Sequence, residues 1–204
     1  MSDTARLEAF SDGIFAIAAT LLILDVNLSG NGSVAHQLVQ AWPSYAAYGI
    51  SFATLGIVWV NHHTVFTQIG RVDRTFLFIN VLFLMVVAFT PFPTRVLADN
   101  LRDQSKAAAF FYGLTYTAMA VCYGALWFYA AHGRRLLAAT ADERLVSGIS
   151  RSFRPGTLIY AVATLSSLIS AILAVVLYAL IAVFYVVESS VFGRNEPASR
   201  AAGE

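Results

Sequence analysis

Apolar runs long enough to enter a bilayer recur along this chain, and polar residues gather mostly between them. A spanning helix needs about 20 mostly apolar residues. The first run covers Leu7 to Leu28 and ends in Ser29-Gly30-Asn31-Gly32-Ser33, a turn-rich stretch. The second covers Trp42 to Ile69 and starts at a Trp-Pro pair suited to a helix N-terminus. The third covers Arg74 to Leu97, with Pro91 and Pro93 near its end, and the fourth covers Ser105 to His132. The stretch from Gly156 to Val187 is apolar throughout. As a single helix it would be about 48 Å long, against a hydrocarbon core of about 30 Å. Two short helices with a tight turn near Ser166, Ser167 and Ser170 fit better, because serine hydroxyls can satisfy backbone groups freed at the turn. The pattern predicts an all-α membrane protein with six transmembrane helices. They form one domain over residues 1–192, followed by a short disordered tail over 193–204.

Charge placement orients this arrangement. With the N-terminus inside, the inner side receives Arg6, Arg71, Arg74, Arg134, Arg135, Arg144, Arg151, Arg154, Arg194 and Arg200. The outer side receives Arg95, Arg102 and Lys106, balanced by Asp99 and Asp103. That asymmetry puts both termini in the cytoplasm. A five-helix chain would carry Arg194 and Arg200 outside. Composition agrees: the 204 residues are 58% hydrophobic and only 12% charged, about half the charge of a soluble domain. Arginine and alanine richness, with Lys106 the sole lysine, suggests a bacterial genome and hence an inner-membrane protein. Arg6, Glu8 and Asp12 precede or interrupt the first apolar run, which does not read as a cleaved signal peptide. The lone Cys122 offers no disulfide or thiolate metal site.

Chemistry concentrates on the first helix. Two carboxylates and an arginine open it, and charge at a membrane is costly enough to suggest function. At 100° per residue, Ile17, Leu21 and Leu24 form one stripe, while Ser11 and Asp12 point elsewhere. From spacing alone, packing against neighbours or lipid is the favoured role of the stripe. Ser11 and Asp12 need partners. Trp59, His62, His63, Asn61 and Asn80 on the next two helices offer donors and acceptors. An inter-helical clamp is favoured over a pH switch. Thr20 sits near the stripe, where its hydroxyl can bond its own helix backbone or meet a dehydrated ion. Asp25 lies at the outer end, as an interfacial charge or part of a ring of carboxylates. No His-Glu-x-x-His, phosphate loop or Gly-x-Ser-x-Gly elbow appears, so no enzyme, metal site or cofactor is expected. No Thr-Val-Gly-Tyr-Gly filter or arginine-ladder voltage sensor appears either. Nucleic acid is not an expected partner.

Arg6 followed by Phe10-Ser11-Asp12, then Ile-Ala-Ala-Thr-Leu-Leu-Ile-Leu, resembles the transmembrane protein 175 family of endosomal and lysosomal potassium channels and their bacterial homologues. The resemblance continues through Trp59-Val-Asn-His62-His63, Asn80 and Pro91-Phe92-Pro93-Thr94-Arg95, covering roughly the first half of the chain. It implies a homotetramer with helix one lining a central pore. Ile17 matches a hydrophobic constriction, Leu21 and Leu24 further apolar rings, and Thr20 a threonine linked to selectivity. Arg6, Phe10, Ser11, Asp12, Trp59, His62 and Asn80 match a polar network behind the pore helix. The expected function is a potassium-permeable cation channel of weak selectivity over sodium, with K+ ions in its pore and membrane lipid around it. A proton-coupled secondary transporter using Asp12 and the helix-two histidines, a proton-permeable channel and a non-transporting scaffold stay open as alternatives.

Overall fold

The computed structural model of the chain describes residues 3–26, 28 and 32–192. The 193–204 tail and most of the Ser29–Ser33 turn lie outside the described residues. The described chain is all helix: α1 (Asp3–Leu21), α2 (Val34–Gln40), α3 (Trp42–Thr67), α4 (Arg74–Phe89), α5 (Pro91–Asn100), α6 (Lys106–Ala131), α7 (Glu143–Ser166) and α8 (Ala171–Phe192). One 3-10 turn, Leu22–Asp25, extends α1, and another, His132–Arg134, follows α6. Among the described residues, three helices are long and apolar enough to cross a membrane: Thr4–Asp25, Arg74–Asn100 and Lys106–Arg134. Ala171–Val187 is a shorter apolar helix.

Capping residues set where the helices begin. Ser33, Asp73, Ser105 and Asp142 each accept a backbone N–H from the first turn of α2, α4, α6 and α7. Asp73 does two jobs, since the Tyr129 hydroxyl on α6 also donates to it at 2.8 Å. The Phe76 N–H holds the Asp73 carboxyl below its ordinary value of 3.8, against some desolvation and helped by Tyr129 and Arg135. Between α4 and α5 the backbone stays helical through Thr90, but Pro91 and Pro93 remove amide donors from the ladder. The hydroxyls of Thr90 and Thr94 bond the carbonyls of Val87 and Thr90, each at 2.8 Å.

Several sequence expectations are corrected in detail. The α7 helix begins at Glu143, not near Gly156, because Asp142 caps an amphipathic stretch whose Val146, Ile149 and Phe153 pack on the core. Two helices do replace the long apolar stretch, and they meet at Ser167 to Ser170. The Ser167 hydroxyl donates to the Thr164 carbonyl at 2.6 Å in that turn. The α2 helix was not anticipated; it is seven residues long and buries none of them. The first helix narrows to a 3-10 turn from Leu22 instead of continuing to Leu28.

The interior is organised around α6, which packs on α4, α5, α7 and α8 and buries Tyr112, Tyr116, Met119, Leu126 and Trp127. The two loops at one end are stitched together by backbone. Gly70 N–H donates to the Leu136 carbonyl and Ala138 N–H to that of Gln68, both at 2.9 Å. Gly113 lets α7 and α8 approach α6. A Cβ there would collide with the Tyr178 hydroxyl and meet Thr164 Oγ1 at 2.5 Å. Gly113→Ala is therefore expected to destabilise the protein by about 1–3 kcal/mol through overpacking. The check is a lower midpoint for thermal unfolding of the purified protein in detergent. An unchanged midpoint would mean that the α6–α8 contact is loose.

Candidate pore-lining helix and its polar anchor

The α1 helix has two faces of opposite character. Leu7, Ser11, Phe15, Ala18 and Leu22 recur at helical spacing and are buried. Across the helix, Ile17, Leu21 and Leu24 are 58%, 41% and 66% exposed. The tighter 3-10 winding after Leu21 keeps Leu24 in line with it, since three residues make one turn there. Thr20 is exposed near this stripe, and its hydroxyl donates to the Ile17 carbonyl at 2.9 Å. That bond uses its proton and leaves the oxygen lone pairs available.

The buried face is held by a directional chain of hydrogen bonds. His62 Nε2 lies 3.3 Å from Asn80 Oδ1, an atom that only accepts, so the ring proton sits on Nε2. Asn80 Nδ2 donates to Ser11 Oγ at 3.1 Å, and Ser11 donates to the Leu7 carbonyl at 2.9 Å. His62, Asn80 and Ser11 are all fully buried. Phe66 stacks on the imidazole at 4.2 Å, with Phe15 at 5.6 Å and Phe83 at 5.7 Å between ring centroids. The chain thus links α3, α4 and α1 inside an apolar sleeve, where each polar group has a strong need for its partner.

A second, more exposed set ties α1 to α3. Trp59 Nε1 donates to Asp12 Oδ1 at 2.8 Å, and His63 Nδ1 meets Glu8 Oε1 at 2.7 Å. Glu8 was not among the expected site residues. Its signal was in the spacing: Glu8 and Asp12 are one helical turn apart, and so are Trp59 and His63, which makes two rungs between antiparallel helices. The structure brings Ser11, Asn80 and His62 into one cluster and Asp12 and Trp59 into the next. Arg6 and Phe10 are exposed and join neither within one chain. At the other end of α1, Asp25 lies 4.0 Å from Arg95, which also approaches Asp99 at 3.6 Å. Among the described residues no group of three His, Cys, Asp or Glu side chains is arranged to hold a metal ion.

Residues 6–91 match the family model described as the endosomal/lysosomal potassium channel TMEM175. Over 190 residues the chain is 43% identical to a potassium channel of Streptomyces collinus, a match covering 91% of this chain and 92% of that protein. It is 35% identical over 105 residues to the endosomal/lysosomal proton channel TMEM175 of Gallus gallus, covering 46% of this chain but 21% of that protein. Its fold superposes with a TM-score of 0.84 and 37% identity on the crystal structure of a lysosomal potassium-selective channel TMEM175 homologue from Chamaesiphon minutus, covering 93% of this chain and 99% of that one. A 43% identity sustained over nearly the whole of both chains is family membership: the chain belongs to the TMEM175 family.

Proposed function

We propose that this protein is a potassium-permeable cation channel with weak preference for potassium over sodium, built as a homotetramer of six-helix subunits. The spans are α1, α3, α4 with α5, α6, α7 and α8, and both termini face the cytoplasm of a bacterial inner membrane. The observation that carries the reading is the near-full-length likeness to the Chamaesiphon potassium-selective homologue. The exposed aliphatic stripe of α1, set against a face anchored by polar bonds, supports the choice of pore helix.

In this reading four copies of α1 surround the axis. Four Ile17 side chains form a neck too narrow and apolar for water, and a dewetted neck blocks ions until it widens. Leu21 and Leu24 form further apolar rings toward the outer end. The Thr20 oxygens supply the polar ligands nearest the neck, since their protons are already engaged by the Ile17 carbonyls. Serial opening then requires α1 to move as a rod, and its position is set by Ser11, Asp12, Trp59, His62 and Asn80.

A proton-permeable channel is the second reading, favoured by the half-chain likeness to a relative named a proton channel. Liposomes holding purified protein separate the two. The expected result is downhill potassium flux exceeding sodium flux, with no dependence on a proton gradient, from a particle with the mass of four chains. Flux of protons without potassium selects the second reading. A stable monomer removes both, since the pore needs a closed ring.

A further inference from the structure

The inner face of α7 keeps one character along its length. Val146, Ile149 and Phe153 pack on the core, and Ser150 accepts the Trp127 indole N–H at 3.0 Å. The outer face changes character. At 100° per residue, Arg144 and Arg151 stand opposite the packed residues, and so do Leu158, Val162 and Leu165 further along. Both arginines are exposed, and Leu158, Val162 and Leu165 are 64%, 55% and 57% exposed. The switch from guanidinium to aliphatic side chain falls within about 10.5 Å of helix between Arg151 and Leu158. That is the profile of a helix leaving hydrocarbon for a headgroup layer. The helix then runs on for about two more turns and presents Arg144 about 10.5 Å beyond Arg151.

Neither arginine has an ion-pair partner among the described residues. The neighbouring carboxylates are committed elsewhere: Glu143 pairs with Arg134, Asp142 caps α7, and Asp73 caps α4 and accepts from Tyr129. The position of α7 keeps this face at the edge of the subunit. It packs on α6 and α8, whereas α1 packs on α3, α4 and α5. Leu145, 45% exposed, flanks the arginines with an apolar side chain. A soluble anion has no use for it, but the boundary between phosphate and acyl chain does.

We propose that the outer face of α7 at Arg144, Leu145 and Arg151 forms a binding surface for anionic phospholipid, with the two arginines engaging its phosphates. Guanidinium groups pair with phosphate oxygens through two parallel N–H donors, and an anionic leaflet draws such residues toward it. The surface would hold the outer edge of each subunit at a fixed depth. It stands whether or not α1 conducts ions, so its test reads lipid and not flux.

The test is thermal stability of the purified full chain in neutral detergent, with added phosphatidylglycerol, phosphatidylcholine or inorganic phosphate. Phosphatidylglycerol is expected to raise the midpoint of wild type about 5 °C more than phosphatidylcholine does. In the Arg144→Gln/Arg151→Gln double variant that excess disappears while the phosphatidylcholine response is kept. Arg102→Gln, which removes an arginine elsewhere, retains the excess. Salt at 0.5 M suppresses the excess in wild type by screening, an arm that needs no variant. The proposal is overturned by equal responses to the two lipids, by full retention of the excess in the double variant or in high salt, or by inorganic phosphate reproducing it.

Discussion

Replacing Ile17 with asparagine is expected to raise potassium flux through reconstituted protein by about tenfold or more, a barrier lowered by about 1.4 kcal/mol. The neck would present four amides in place of four sec-butyl groups. Each amide offers a carbonyl oxygen to a partly dehydrated cation and a donor to water, so the neck stays wet. The substitution should be tolerated by the fold, since Ile17 is 58% exposed within its own chain and packs on nothing that the change removes from the core. Flux is measured in liposomes under a potassium gradient, beside Ile17→Val as a volume control. Val keeps the neck apolar and should leave flux within about twofold, about 0.4 kcal/mol. Unchanged or lower flux in a correctly sized oligomer would place the constriction elsewhere. The Leu21 and Leu24 rings would then be the next positions to change, one and two turns further along.

The two faces of α1 were legible in sequence as a stripe at helical spacing with Ser11 and Asp12 off it. What spacing could not decide was whether the stripe met protein, lipid or a pore, because apolar side chains suit all three. The resemblance of Phe10-Ser11-Asp12 and Trp59-Val-Asn-His62-His63 to a known family decided that expectation. The turn between α7 and α8 was legible because a single helix of that length would overrun the bilayer. The first half of α7 was not, since its arginines broke the apolar run while its Val146, Ile149 and Phe153 still packed on the core. The α2 helix escaped because a seven-residue helix with no buried side chain leaves no periodic signal. The hydroxyl cluster of Ser51, Thr94 and Tyr112, bonded at 2.8 and 3.0 Å, depends on three helices meeting, and no local pattern announces that.

The second large effect is expected from Asn80→Leu, which removes the middle of the buried chain while keeping the branched shape and the number of side-chain heavy atoms. The His62 N–H then loses its acceptor, and Ser11 Oγ loses the donor that ties α1 to α4. Hydrogen bonds between membrane helices are worth about 0.6–2 kcal/mol each, and two are lost here. The aromatic sleeve of Phe15, Phe66 and Phe83 around the imidazole admits no ready substitute, so the cost falls at the upper part of that range. Because α1 is the helix around which the subunits would close, the loss should appear first in assembly. The oligomer peak on size-exclusion chromatography should shrink, and its thermal midpoint should fall by several degrees. Asp12→Ala removes the acceptor of a bond whose donor, Trp59, is 43% exposed. Water can replace part of it, so the drop should be smaller. A larger effect for Asp12→Ala than for Asn80→Leu would mean that the outer rung to α3, and not the buried link to α4, holds α1 in place. The same ordering should carry into flux measured on whatever oligomer survives. In the proposed pore, a rod released at its buried face would no longer keep four Ile17 side chains in register, so Asn80→Leu should raise the flux per surviving oligomer, whereas Asp12→Ala should leave it near the wild-type level.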